Sequence, residues 1–373
     1  MNTSGPISIK EPFYTLHHMT MTKKRRWPWM VLALLGVLVV IYLLGPKPAK
    51  PDFSGLVIPQ CTSDLKMLED SIAAKESSLQ LKADNEARIV WATPYQKTPY
   101  SMVYLHGNGA SQEEGDPIHE ALAQRYGCNL YLARLEDHGL KGDSPLLNID
   151  PLQWMQSALD AIAVGKALGE KVILVSCSTG STFALYLAAK YPDLVEAQIM
   201  LSPNVDYFDP RSFMMSRPWG LHITRLILGS DFYSWKAPAN AEQYWYTRYR
   251  IEGIITLKAI IDETMTKENF QMINDPIYLS YYYKDEAHQD NVVSVKRMKE
   301  MFEQVGTPSA MKKEVAHADA GTHIIGSDLF NQNLSSVWSP LVSYCEEVLH
   351  LTPVQDVDWN PFIANSHINY YTP

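Results

Sequence analysis

From about residue 76, the chain alternates short apolar runs with amphipathic stretches, and this alternation restricts the fold more than any other feature. Five runs are rich in β-forming residues: RIVWAT (88–93), SMVYLH (101–106), CNLYLARL (128–135), KVILVS (171–176) and AQIMLS (197–202). Helical stretches separate most of them, and in LQWMQSALDAIAVGKAL the apolar residues recur at three- and four-residue steps. This pattern predicts an α/β fold, with a mostly parallel sheet of roughly eight strands and helices on both faces.

The alternation is interrupted between Asn204 and Asp275. This block contains two helical-looking stretches and many large aromatic residues, and a strand-like run, PIYLSYYY, follows it at 276–283. We interpret the block as an inserted helical lid. The alternative is that its aromatic residues belong to the core of a longer helical layer.

A long apolar run lies near the N-terminus. No charged residue occurs between Arg26 and Lys47, and eleven of the twenty intervening residues are Val, Leu or Ile. This is about the length that a helix needs to cross a bilayer, and the basic run at 23–26 would keep the preceding tail in the cytoplasm. The sequence therefore predicts an N-terminal transmembrane helix that anchors the chain to a membrane by a single pass. A cleaved signal peptide is the alternative, although the following GPKPAKPDFSG lacks a small-x-small cleavage site.

These patterns predict how the chain is divided. We expect a cytoplasmic tail, a transmembrane anchor, a linker, an α/β domain with the lid at about 204–275, and a C-terminal tail, over residues 1–26, 27–46, 47–75, 76–351 and 352–373. The α/β domain would then lie outside the cytoplasm, in a periplasmic or extracellular location.

Charge and cysteine content exclude several classes of protein. The formal net charge of −9 argues against a nucleic-acid binder, which would carry a basic surface. Four cysteines are too few for a disulfide scaffold, and no Cys/His spacing indicates a zinc site. We therefore expect no nucleic-acid partner, no metal and no cofactor.

The strand VILVSC and the helix STFALYLAAKYP are joined by a tight turn around one serine, Ser178. A serine hydroxyl becomes a nucleophile only when a base removes its proton and donors stabilise the resulting oxyanion. A sharp strand-to-helix turn serves both needs, because it exposes the side chain beside the free N–H groups of a helix N-terminus. We predict Ser178 as the nucleophile, rather than a serine at an ordinary turn. We interpret the neighbouring Cys177 as a small buried thiol.

A second Gly-rich turn follows an earlier strand, in VYLHGNGAS at 103–111. Such a turn can direct a backbone N–H at a developing oxyanion. The N–H groups of Asn108 and Thr179 are our candidate oxyanion hole. The alternative is an ordinary glycine turn in which His106 is structural.

With these motifs in this order, the chain resembles the α/β-hydrolase superfamily, in particular its esterase- and lipase-like members. The segments LHGNG, ARLEDHGLKG, VSCSTGS and LSPNV carry the resemblance, which covers about 76–351 apart from the lid block. It implies a Ser-Asp-His triad in that chain order. One departure is that Ser176 stands where the superfamily usually has glycine.

The resemblance also indicates where the acid and the base lie. The superfamily's acid commonly precedes an apolar pair and a helix, as Asp290 does in DNVVS, whereas Asp285 is the alternative nearer the strand end. A metal site formed by Asp285, Asp290 and their neighbours Glu286 and His288 is a further, weaker alternative. The base should follow the last strand, where AGTH places His323 and leaves His317 as a surface or structural residue.

The predicted function is therefore a serine hydrolase that cleaves carboxylic esters through Ser178, Asp290 and His323 and an acyl-enzyme intermediate. The aromatic residues of the lid block favour a small-molecule ester with a partly apolar acyl group or an aromatic group. An acyltransferase, thioesterase or peptidase would use the same triad. A catalytically silent binding module of the same fold is the alternative from a different class.

Overall fold

The structure is a computed structural model that describes residues 1–3, 5 and 26–354. The chain divides into two compact units, Met1–Gly45 and Pro46–Pro373. Most of the predicted cytoplasmic tail, including its basic residues before Arg26, and most of the predicted C-terminal tail lie outside the described residues.

The described part of the first unit contains one helix, α1 (Trp27–Leu43). Its 17 residues span about 25 Å at 1.5 Å per residue, whereas the hydrocarbon core of a bilayer is about 30 Å thick. Across the residues that the structure describes, no helix is both long enough and apolar enough to cross a membrane. The predicted single-pass transmembrane anchor is therefore wrong, and the membrane attachment and the location that were predicted from it are not supported. The apolar run continues to Pro46, but the helix stops short of it, with Leu44 as its C-cap.

The second unit is built on a sheet of eight strands, with a separate two-stranded hairpin. In chain order the strands are β1 (Arg88–Val90), β2 (Thr98–Leu105), β3 (Asn129–Leu132), β4 (Gly169–Cys177), β5 (Ala197–Leu201), β6 (Phe232–Ser234), β7 (Arg248–Arg250), β8 (Ile277–Asp285), β9 (His288–Gln289) and β10 (Lys312–His317).

The strand order in the sheet is β1-β3-β2-β4-β5-β8-β10, and β9 pairs with β8. The pairs from β3 to β10 along this order are parallel, whereas β1 is antiparallel to β3, and β9 to β8. The predicted α/β class with a mostly parallel sheet therefore agrees with the structure.

Helices cover the sheet. In the second unit these are α2 (Leu65–Ser77), α3 (Ile118–Tyr126), α4 (Pro151–Leu168), α5 (Thr179–Lys190), α6 (Gly220–Leu228), α7 (Ile251–Thr264), α8 (Lys267–Gln271), α9 (Val295–Gln304) and α10 (Leu334–Glu347). Short 3₁₀ helices lie at Gln112–Gly115, Pro192–Leu194, Pro210–Ser216, Ala239–Gln243 and Ser309–Met311.

Both faces of the sheet are buried, as strand β2 illustrates. Val103 and Leu105 belong to one hydrophobic cluster, and the alternate residues Met102 and Tyr104 belong to another. All four side chains are fully buried. A strand that is covered on both sides has no solvent-facing positions, which explains why the central strands read as continuous apolar runs in the sequence.

The block between β5 and β8 contains α6, α7, α8 and the antiparallel β6–β7 hairpin. The hairpin did not stand out in the sequence, because each of its strands has only three residues. The guanidinium of Arg248 lies 3.3 Å from the centre of the Phe232 ring across the hairpin, and such cation–π contacts help to stabilise so short a pair.

Candidate active site

The predicted site residues lie on loops at one edge of the sheet, where the central parallel strands end. Asn108 lies on the loop after β2, Ser178 directly follows β4, Asp290 directly follows β9, and His323 lies on the segment after β10. Open α/β sheets bind their ligands at this edge, outside the carboxyl ends of the strands. The topology therefore brings together residues that are far apart in the sequence.

Ser178 occupies a strained turn between β4 and α5. Its backbone has φ 50° and ψ −117°, a conformation that non-glycine residues rarely adopt. The Ser178 N–H donates to the carbonyl of Leu201 at 3.2 Å, and its carbonyl accepts the N–H of Asn204 at 2.9 Å. These bonds to the next strand and the loop after it hold the turn in the geometry expected of a nucleophile elbow.

Small residues around Ser178 make this turn possible. A Cβ on Gly180 would lie 1.9 Å from the backbone carbonyl oxygen of Leu105, so no larger residue fits there. Ser176, which stands where the superfamily usually has glycine, is fully buried. Its hydroxyl lies 2.9 Å from that of Ser181. The extra polar group is therefore paired, which explains how serine is tolerated at this position.

Asp290 and His323 are in direct contact. The Nδ1 atom of His323 lies 2.6 Å from Oδ2 of Asp290, and Oδ1 of the same carboxylate accepts the N–H groups of Val292 and Val293. Burial lowers the pKa of His323, but the charge and hydrogen bond of Asp290, with a contribution from Glu114, outweigh it, and the pKa is raised. This arrangement fixes the ring and leaves Nε2 as its other proton-carrying atom.

The alternative residues lie in other environments. Asp285 is exposed and its Oδ1 pairs with Nδ1 of the exposed His288 at 2.8 Å. His317 is buried at the end of β10, and burial lowers its pKa to about 4. Cys177 is fully buried, and burial raises its thiol pKa well above the ordinary value. A buried thiol of this kind is a poor nucleophile.

The loop that carries Asn108 lies against Ser178. A Cβ on Gly107 would be 2.9 Å from the Cβ of Ser178, so the backbone of this loop passes directly beside the serine. Thr179 is the first residue of α5, and its N–H has no partner within the helix. His106 connects this loop to the segment after β3. Its Nε2 accepts the N–H of Leu135 at 3.1 Å, and its Nδ1 lies 2.9 Å from the Gly107 carbonyl oxygen.

A buried carboxyl group, Glu114, supports the same loop and was not foreseen from the sequence. Its Oε2 accepts the N–H of Gly107 at 2.5 Å. Burial raises the pKa of Glu114, and the Gly107 hydrogen bond partly offsets this. No motif singles out Glu114, because its contact with Gly107 depends on the 3₁₀ turn at Gln112–Gly115 folding back on the loop.

The inserted block also contacts this loop. The N–H of Tyr246 donates to the carbonyl of Gly109 at 2.7 Å. The Tyr246 hydroxyl accepts the N–H of Leu140 at 2.6 Å, and Trp235 Nε1 donates to the Tyr246 carbonyl at 3.1 Å. Tyr246 is therefore bonded directly to the backbone next to Asn108, and Trp235 is bonded to Tyr246.

A possible metal-binding group lies outside this site, among the described residues. Asp116, His119 and Glu120 each place one ligand atom within 4.8 Å of the other two.

The chain was compared with known proteins by sequence and by structure, and only the structural comparison found similar proteins. By sequence, no known protein family and no curated protein matches the chain. A solved structure described under "LipS and LipT, two metagenome-derived lipolytic enzymes" is similar, with a TM-score of 0.57, 12% identity, and coverage of 71% of this chain and 98% of that one.

Two further structures match at lower scores. A ferulic-acid complex of Est1E from Butyrivibrio proteoclasticus has a TM-score of 0.47, 18% identity, and coverage of 69% of this chain and 94% of that one. A monoacylglycerol lipase from Paleococcus ferrophilus has a TM-score of 0.48, 14% identity, and coverage of 69% and 98%. At these identities the similarity concerns the fold.

Proposed function

We propose that the chain, which has the α/β-hydrolase fold, acts as a serine hydrolase on carboxylic esters. The observation that carries this proposal is the contact of 2.6 Å between His323 Nδ1 and the buried Asp290 carboxylate, on the same edge of the sheet as the strained Ser178 turn. An imidazole that is fixed by a carboxylate activates a serine hydroxyl when its other nitrogen removes the hydroxyl proton.

In the proposed mechanism, the Ser178 hydroxyl attacks the ester carbonyl while Nε2 of His323 takes its proton. Asp290 holds Nδ1–H and stabilises the imidazolium that forms. The backbone N–H groups of Asn108 and Thr179 donate to the oxyanion of the tetrahedral intermediate. His323 then gives its proton to the departing alkoxide, and water, activated by the same imidazole, hydrolyses the acyl-enzyme.

The proposed substrate is a small ester with a partly apolar acyl group or an aromatic group. Support comes from Tyr246, which is bonded to the loop that carries Asn108, and from Trp235, which is bonded to Tyr246. The structure with the TM-score of 0.57 belongs to enzymes described as lipolytic. Aromatic side chains beside a site favour apolar groups, because they bury a large apolar area at low entropic cost.

The test is covalent labelling of the full chain with a fluorophosphonate probe, together with hydrolysis of p-nitrophenyl acetate, butyrate and octanoate. We expect the wild type to label with one probe per chain, and Ser178→Ala to lose labelling and at least about 10³-fold in kcat. A matched control is Ser181→Ala, which removes the hydroxyl of a buried serine in the first turn of α5 and should still label. A folded wild type that neither labels nor hydrolyses any of the esters would contradict the proposal and favour a binding module.

A further inference from the structure

A group of metal-ligating side chains lies at the start of α3, apart from the triad. Asp116 precedes the helix, and His119 and Glu120 lie in its first turn. One carboxylate oxygen from each acid and one ring nitrogen of His119 lie within 4.8 Å of one another. His119 is fully buried, and the two acids are partly exposed, so solvent can reach the group from one side.

His119 has one ring nitrogen without a partner. Its Nε2 lies 2.8 Å from the carbonyl oxygen of Gln112, and a carbonyl can only accept, so Nε2 carries the proton. Nδ1 is then a lone-pair acceptor, and it is buried with no hydrogen-bond partner among the described residues. Histidines that bind metals commonly donate their other N–H to a backbone carbonyl in this way, which fixes the tautomer and the ring orientation.

We propose that Asp116, His119 and Glu120 bind a divalent metal ion of the zinc class, through His119 Nδ1 and one oxygen of each carboxylate. An imidazole with two carboxylates suits Zn²⁺, whereas Ca²⁺ and Mg²⁺ prefer oxygen ligands alone. Bonds of about 2.0–2.1 Å place tetrahedral ligand atoms roughly 3.4 Å apart. The ligands must therefore draw in, which the partly exposed Asp116 and Glu120 side chains can do by rotation. Water would complete the coordination.

The position of the site gives the metal a structural role. The carbonyl of Asp116 accepts the N–H of Asp328 at 3.2 Å, and Pro117 forms a β-bridge with Ser327. Ser327 lies four residues after His323, and Asp116 follows the 3₁₀ turn that contains Glu114. A metal held here restrains both segments that reach the triad, so its binding should raise the stability of the fold.

The test measures zinc binding to the full chain after treatment with a chelator and removal of the chelator. We expect one tightly bound Zn²⁺ per chain by elemental analysis, and a rise in Tm of about 5 °C when Zn²⁺ is present at 100 times its Kd. His119→Gln should abolish this binding, and Asp116→Asn and Glu120→Gln should each weaken it at least about 10-fold. The two amide variants guard against a folding defect of His119→Gln, and all three are compared with the wild type in chelator.

Asp285 and His288 provide the matched control, because they form an exposed carboxylate–histidine pair that could bind Zn²⁺ adventitiously. His288→Gln should leave the zinc stoichiometry and the Tm increase unchanged. Zinc binding that is lost in His288→Gln but kept in His119→Gln would overturn the proposal. So would a wild type that binds no Zn²⁺, or one that is stabilised by Ca²⁺ and not by Zn²⁺.

Discussion

Asp290 and His323, 33 residues apart in the sequence, are joined by a contact of 2.6 Å between a carboxylate oxygen and Nδ1. Asp285, only five residues before Asp290, instead pairs with His288 on the surface. The two aspartates therefore have different partners, one buried and one exposed.

The first prediction separates the two aspartates. Asp290→Asn should lower kcat by about 10⁴-fold, because the amide favours the wrong tautomer of His323. Asp285→Asn, which alters only an exposed pair, should stay within about threefold of wild type. Steady-state hydrolysis of p-nitrophenyl butyrate measures both. Equal losses in the two variants would contradict the assignment of the acid.

The second prediction concerns the pH dependence of kcat/KM. Burial lowers the pKa of His323, but Asp290 and, to a smaller extent, Glu114 raise it by more than burial lowers it, so the net shift is upward. A base must be unprotonated, so kcat/KM should rise with pH through an apparent pKa above the ordinary histidine value of about 6.5. Glu114→Gln removes one of the raising charges and should move this limb to lower pH. A wild-type limb below pH 6 would count against the role of His323.

The third prediction concerns the paired hydroxyls of Ser176 and Ser181, which are 2.9 Å apart and fully buried. Ser176→Ala and Ser181→Ala should each lower the free energy of unfolding by about 1–2 kcal/mol, because each leaves the other hydroxyl buried without a partner. The double variant should lose less than the sum of the two single losses. Urea unfolding measures the cycle, and strictly additive losses would show that the hydroxyls do not interact.

The fourth prediction compares two glycines. Gly180→Ala should lower the free energy of unfolding by about 3 kcal/mol or more, because its Cβ would overlap the Leu105 backbone carbonyl, which cannot move freely. Gly229 has a φ of 64°, and no atom lies within 4 Å of the position that a Cβ would take there. Gly229→Ala should therefore cost only the conformational penalty of about 1–2 kcal/mol. Thermal and urea unfolding compare the two, and a smaller loss for Gly180→Ala would refute the steric argument.

The fifth prediction concerns stability in acid. Burial lowers the pKa of His106 to about 4 and that of His138 well below its ordinary value. The unfolded chain therefore binds more protons than the folded chain from about pH 6.5 down to about pH 4. Each histidine should make the free energy of unfolding fall by about 1.4 kcal/mol per pH unit as the pH decreases through this range.

His106→Gln tests this dependence. It should be less stable than wild type at neutral pH, because it loses the ring that accepts the Leu135 N–H. Between pH 6.5 and pH 5, the free energy of unfolding of this variant should nevertheless decrease less steeply than that of the wild type. The difference in slope should be about 1.4 kcal/mol per pH unit, which corresponds to one proton. Urea unfolding at several pH values gives both slopes, and parallel slopes would show that His106 does not remain neutral in the folded chain.

The sequence indicated the features that depend on neighbouring residues. The turn at Ser178 follows from an apolar strand, small flanking residues and a helix within one short segment. The preference for Asp290 over Asp285 came from the residues that directly follow each of them, and the structure pairs Asp290 with His323.

The features that the sequence did not indicate depend on contacts between distant segments or on where an element ends. The contact of Glu114 with Gly107 requires a specific 3₁₀ turn. The spacing of Asp116, His119 and Glu120 resembles no familiar metal motif. The free nitrogen of His119 could not be foreseen either, since it depends on a contact of the other ring nitrogen with a backbone carbonyl seven residues away. The predicted membrane anchor was wrong because only 17 of the twenty residues in the apolar run form the helix.

The hydrogen bond from the Tyr246 N–H to the Gly109 carbonyl couples the inserted block to the loop that carries Asn108. A lid that opens independently of the proposed catalytic residues needs an edge that is not bonded to them. Here Tyr246 is bonded to the residue after Asn108, and its hydroxyl also accepts the N–H of Leu140. Any movement of the block at Tyr246 would therefore also displace the loop of the proposed oxyanion hole.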